Sequence, residues 1–170
     1  MTQAAPSNSP AIELSVEPAS NPDANWCLRQ YQEELARRFE HGFDPSQGNS
    51  LDPADVTPPK GWFVVARLGD RPVGCGALKR LDTSTGEIKR VWVSDDVRGQ
   101  RLASRIMDRL EQIAAEAGFA KVVLDTNRAL VEARAMYARR GYAEIAPYND
   151  NPYADHWFEK GLGLRTPGNP

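Results

Sequence analysis

The chain has 170 residues, enough for one domain that buries a core without disulfide or metal staples. A formal net charge of −2 and a pI near 5.7 give no basic footprint and argue against a nucleic-acid partner, since domains that live on phosphate contacts show a pI above about 9. The longest unbroken apolar stretch, Trp62 to Ala66, is far short of the roughly 20 residues that span a bilayer, and the two cysteines, Cys27 and Cys75, fall outside any metal-ligand spacing.

In chain order, Ile12, Leu14 and Val16 alternate with Glu13, Ser15 and Glu17 over residues 11–18, the period of a half-buried strand. A helix is predicted next, capped by Asn25 or Asp23, with Trp26, Leu28, Tyr31, Leu35 and Phe39 at helical spacing and Gly42 at its end. Residues 43–60 are rich in Pro, Asp, Asn and Ser and predict a long loop with at most short helical turns, a length that in compact domains tends to be functional. Strands at 62–68 and 71–81, joined by Gly69-Asp70, form an antiparallel hairpin, and a turn at 82–86 leads into a strand at 87–93.

From Gly99 to Ala117 the residues Leu102, Ala103, Ile106, Leu110, Ile113, Ala114 and Ala117 share one helical face, and Gly118 stops the helix. Lys121 to Asp125 is a β-branched run, a buried strand expected beside the Glu87 strand after a right-handed crossover. A last helix from Ala129 to Arg140, closed by Gly141, precedes strands near 142–146 and 156–159. The pattern predicts an α+β fold with a mixed sheet. Residues 1–10 have neither the basic start nor the apolar centre of a signal peptide and are expected to form a disordered polar tail, 11–163 the single domain, and 164–170 a C-terminal tail, in a cytoplasmic protein.

Between the Glu87 strand and the amphipathic helix lies Val97-Arg98-Gly99-Gln100-Arg101-Leu102-Ala103-Ser104. A helix N-terminus carries N–H groups without intrahelical partners and a partial positive charge, so an anion placed there is held by the backbone as well as by side chains. Gly99 lets the main chain approach a ligand, and Arg98 and Arg101 add donors suited to phosphate oxygens. By itself the segment reads equally as a solvated basic turn.

The run Arg98 to Ala103 resembles the Gln/Arg-x-x-Gly-x-Gly/Ala loop that binds the acetyl-CoA pyrophosphate in the GNAT superfamily of N-acetyltransferases, with Arg101 standing where the family usually has its central glycine. Ala133 to Tyr142 is similar to the family's Ala-x-x-Leu-Tyr-x-x-x-Gly-Phe helix end, and the Glu87–Val93 run and the His156–Leu162 ending fit the same family, so that the resemblance covers residues 10–163. It implies a GNAT fold, a central twisted mixed sheet with helices on both faces, acetyl-CoA as cosubstrate and no metal. It also implies that cofactor binding involves Val91, Trp92 and Val93 through the backbone, and Arg98, Gly99, Gln100, Arg101, Leu102, Ala103 and Ser104 in the loop and helix start. Leu130 stands where many members have an Asn that contacts the cofactor, and Asn127 is the nearby candidate to replace it.

Forming an amide from a thioester requires a neutral amine, and deprotonating one of pKa about 10.4 at pH 7 costs about 4–5 kcal/mol. Glu87 corresponds to the Glu that acts as general base in several family members, with Asp125, Glu144, Asp150 and Asp155 as alternatives. Tyr137 matches the tyrosine that gives a proton to the departing thiolate; its structural alternative is a core tyrosine with a satisfied hydroxyl. A bulge near Val91 is implied, exposing a backbone N–H for the oxyanion.

Trp26, Tyr31 and Phe43 border the long loop and are candidates to line an acceptor pocket, as is the polar aromatic loop from Tyr148 to Tyr153. Substrate contacts are expected from Phe43, Asp150, Tyr153 and Asp155, the two acids suiting a cationic amine. The predicted function is acetyl transfer to a primary amine of a small molecule, in a monomer or homodimer with no nucleic-acid or membrane partner. A protein lysine or N-terminus as acceptor, and a non-catalytic acyl-CoA-binding module, are the competing readings.

Overall fold

The computed structural model describes residues 11–163, so both predicted tails lie outside the described residues. Seven strands form one mixed sheet: β1 (Ile12–Val16), β2 (Gly61–Leu68), β3 (Arg71–Arg80), β4 (Thr85–Val93), β5 (Lys121–Thr126), β6 (Ala143–Ile145) and β7 (His156–Gly161), in the order β1-β2-β3-β4-β5-β7-β6. All neighbours are antiparallel except β4 and β5, the parallel pair that the crossover required. Three helices complete the fold: α1 (Pro22–Arg38), α2 (Leu102–Glu116) and α3 (Val131–Arg139).

Period-two alternation assigns the two faces of β2. Phe63 and Val65 pack with Cys75, Ala77 and Trp92 under Ala24 and Cys27 of α1, while Val64 and Ala66 pack with Val73, Leu78 and Ile88 under Ile106, Met107 and Leu110 of α2. Met136 and Tyr137 of α3 join this second core. Trp26, expected at an acceptor pocket, instead packs edge-on against Trp92, ring centroids 5.8 Å apart, beside the first core.

The starts of the three α-helices differ from those read in the sequence. The first helix begins at Pro22, whose missing N–H and fixed φ suit the first turn, so its cap is Asn21; the Asn25 side chain bonds back to the Ser20 and Asn21 carbonyls. The second helix begins at Leu102 because Gly99 and Arg101 hold left-handed φ of +85° and +59°. The third begins at Val131, after Leu130. Among the described residues, no helix is long and apolar enough to cross a membrane.

Candidate active site

The parallel β4–β5 pair holds only from Thr85–Lys121 to Glu87–Val123. Beyond it the strands diverge, so Ile88–Val93 has no strand on the β5 side and leaves a row of backbone groups along a cleft. The divergence coincides with a bulge in β4: Cys75 of β3 faces Trp92 and Ala77 faces Lys89, so two β4 residues oppose Gly76. Arg90 takes up the extra length in a left-handed conformation, φ +59°. Its carbonyl accepts from the Cys75 thiol at 3.2 Å, away from the cleft.

Two cavities meet along this cleft. The larger, about 430 Å³, lies between Val91–Val93, the 97–104 turn and helix start, α1 and α3. The smaller, about 100 Å³, lies between Glu87–Val91, the end of β5, the 43–49 loop and the 151–153 turn. Tyr31, Leu35, Val91, Leu130, Ala133 and Tyr137 line both and mark the junction.

Of the residues assigned to the cofactor, Val91, Trp92, Val93, Arg98, Gly99, Arg101, Leu102, Ala103 and Ser104 line the larger cavity, whereas Gln100 does not. Arg101 in the left-handed region followed by helical Leu102 is the alternation from which backbone anion nests are built, and it opens α2. The Arg98 guanidinium, expected to serve a phosphate, is held by Glu34 of α1 and by Asp95. Arg38 is likewise paired with Glu132 at 2.6 Å. Among the described residues Arg101 and Arg139 line this cavity with no carboxylate within 4.0 Å, so they are the cations left for an anion. Sequence reasoning missed Glu34, whose contact with Arg98 spans 64 positions and leaves no local signal.

Asn127 lies in the smaller cavity, away from the cofactor face. Its amide donates to the Tyr153 carbonyl at 2.7 Å and its oxygen accepts from the Ala129 N–H at 2.8 Å, a strut between two turns. Phe43 and Tyr153 do line the smaller cavity, their rings 4.8 Å apart, and the Tyr153 hydroxyl accepts from the Asp44 N–H at 2.8 Å. Asp150 and Asp155 do not line it. Asp150 is exposed, and Asp155 caps the Arg128 N–H at 2.9 Å.

Glu87 lies in the wall of the smaller cavity, only 4% exposed. Its Oε2 accepts from the Tyr148 hydroxyl at 2.7 Å and its Oε1 lies 3.5 Å from Lys89 Nζ, leaving Oε1 the freer oxygen. Burial and the Glu87 charge push the Tyr148 phenol well above its ordinary pKa, so it stays a donor. Tyr137 is buried at the junction, and burial first, with Tyr31 and Asp125 adding, pushes its phenol up as well. It lines both cavities at their junction.

Known proteins resemble this chain in sequence and in fold. The model of the acetyltransferase (GNAT) family matches residues 27–142. An "IAA acetyltransferase" of Azospirillum brasilense is 32% identical over 126 residues, 73% of this chain and 80% of that protein. The crystal structure of a GNAT-family acetyltransferase from Staphylococcus aureus superposes with a TM-score of 0.75 at 18% identity, covering 89% of this chain and 99% of that one. A GNAT-family acetyltransferase from Elizabethkingia anophelis, solved with acetyl-CoA bound, superposes with a TM-score of 0.58 at 15% identity over 88% of this chain and 97% of that one.

Proposed function

The chain belongs to the GNAT acetyltransferase family, and from that premise we propose that it acetylates the primary amine of a small molecule, with amine and acetyl-CoA bound together. The observation that carries this reading is the meeting of two cavities at Tyr137 and Val91, one long and rimmed with cations, the other small and holding a buried carboxylate.

Bound acetyl-CoA supplies an activated acyl thioester. The residues present fit it: the unpaired edge of Val91–Val93 offers backbone partners to the pantetheine amides, and the nest at Arg101–Leu102 with the first N–H groups of α2 offers a seat for the pyrophosphate. Arg101 and Arg139 add charge there.

On the acceptor side Glu87 takes the amine proton through Oε1, directly or by way of water, with Tyr148 holding the other oxygen. The backbone at Val91, beside the bulge, stabilises the charge that develops on the carbonyl oxygen. Tyr137, kept protonated by its burial, donates a hydrogen bond or its proton to the departing sulfur and so stabilises the charge that develops there. Phe43 and Tyr153 shape the outer wall of the acceptor cavity. The same reading treats residues 11–163 as a single catalytic domain and places it in the cytoplasm, the compartment that suits its free, buried thiols.

Glu87→Gln and Tyr137→Phe test these roles when turnover and acetyl-CoA affinity are measured side by side. Each is expected to lower kcat by about 10²-fold or more while the calorimetric Kd for acetyl-CoA stays within about twofold. Loss of affinity equal to loss of turnover would assign the two residues to cofactor binding alone.

A further inference from the structure

We propose that the acceptor carries a carboxylate as well as the amine, and that Arg90 and Lys89 bind it in the smaller cavity; this rests on the acetyl-transfer reading of the same site. The charged groups lining that cavity are Glu87, Asp125, Lys89 and Arg90. Three of the four carboxylate oxygens have hydrogen-bond donors; the fourth is Glu87 Oε1, the oxygen assigned to the amine proton. Asp125 takes the Asn149 amide at 2.6 Å and the Asn151 amide at 3.2 Å, one on each oxygen, and Glu87 takes the Tyr148 hydroxyl.

The two cations are short of acceptors. Lys89 has three N–H donors, a side chain 8% exposed, and Glu87 3.5 Å away as its nearest carboxylate. Arg90 has five donors. One nitrogen donates to the Asn49 carbonyl at 2.5 Å, the guanidinium lies beside the Tyr31 phenol with its carbon 5.7 Å from the ring centre, and no carboxylate of a described residue is within 4.0 Å. A cavity in which both Asp125 oxygens are matched while Arg90 and Lys89 keep donors free favours a ligand that brings acceptor oxygens.

The backbone gives the same direction. The bulge at Arg90 has a left-handed φ that glycine would adopt without strain, and what the arginine adds is a fork of donors inside the cavity, next to Val91 where the two cavities join. The carboxylates that would have suited a cationic tail, Asp150 and Asp155, do not line this space. Arg90 and Tyr137 line the same cavity of about 100 Å³, so an acceptor that seats a carboxylate on Arg90 and an amine at the junction with Tyr137 is a small amino-carboxylate, of amino-acid type.

The protein saturated with CoA is titrated calorimetrically with 3-phenylpropionate and with the uncharged 3-phenylpropionamide, which share shape and differ in charge. The carboxylate is expected to bind about tenfold tighter or more, and that preference is expected to vanish in Arg90→Gly and shrink in Lys89→Met. Equal affinities in the wild-type protein, no binding of the carboxylate, or an undiminished preference in Arg90→Gly with CoA binding intact would each overturn the assignment. Should the variants lose CoA binding through misfolding, the wild-type comparison alone decides. Because these readouts need no turnover, they stand if acetyl transfer fails. Equal kcat/KM for an amino acid and its decarboxylated amine would overturn the carboxylate subsite while leaving the transferase reading in place.

Discussion

At residue 101 an arginine occupies a backbone conformation that costs a non-glycine residue about 1 kcal/mol or more. Arg101→Gly is therefore expected to raise the unfolding free energy by about 1 kcal/mol in urea titrations, and to weaken acetyl-CoA binding more at low than at high ionic strength, because a cation is lost from the cavity rim. A variant less stable than the parent would mean that the side chain contributes more than the backbone costs. Much of the candidate site is legible at this scale: the turn before α2, Glu87 and Tyr137 are singled out by motif, and all of them line the two cavities. Side chains whose partners are distant in sequence are not. Arg98 looks like a phosphate ligand until Glu34 is seen beside it, and Asn127 looks like a cofactor contact until Tyr153 takes its amide.

The elements themselves are read well wherever period and length are both strong. β1 alternates, β2 is an apolar run buried on both faces, and α1 and α2 carry apolar stripes over 17 and 15 residues. The nine-residue α3 and three-residue β6 are fixed by packing, and their ends are correspondingly blurred in the sequence. The start of β2 illustrates a constraint with no local pattern. A Cβ on Gly61 would fall 2.2 Å from the Asp55 carbonyl oxygen, 2.6 Å from that of Leu78 and 2.8 Å from the Val56 Cα, all backbone atoms with no rotamer to escape into. Gly61→Ala is expected to cost about 3 kcal/mol, read as a lower urea midpoint at unchanged m-value. A loss under about 0.5 kcal/mol would show that the turn from Pro53 to Val56 moves aside freely.

Across the whole molecule, ion pairs tie together elements far apart in the chain. Glu111 of α2 accepts from Arg140 at 2.9 Å, the Tyr142 hydroxyl at 2.9 Å and Lys160 at 2.6 Å, joining α2 to the end of α3 and to β7. Its replacement by Ala leaves the Tyr142 hydroxyl and Lys160 unmatched, while Arg140 keeps Asp108 at 2.7 Å, and is expected to destabilise the fold by about 2 kcal/mol in the same assay. At the opposite edge Arg67 of β2 grips Glu17 at 2.6 Å and Asp23 at 2.9 Å, and its hydrogen bond holds the Glu17 carboxyl down to about 2 from an ordinary 4.5. A depressed folded-state value adds stability that is complete above 4.5 and lost as pH falls toward 2, so Glu17→Gln should be less stable than the parent by about 1–2 kcal/mol at pH 7, allowing for solvent screening, and the gap should close on acidification. A gap that stays constant with pH would remove the charge from that contribution. Among the described residues these ties flank the opening of the sheet between β4 and β5, where the proposed acetyl transfer to an amine would take place. Its most direct measurement is thiol release from acetyl-CoA against a panel of primary amines, with the acetylated product identified by mass. Amine-dependent release that falls about 10²-fold in Tyr137→Phe is the expected result. Saturable acetyl-CoA binding without amine-dependent release would instead make this cleft a binding site and nothing more.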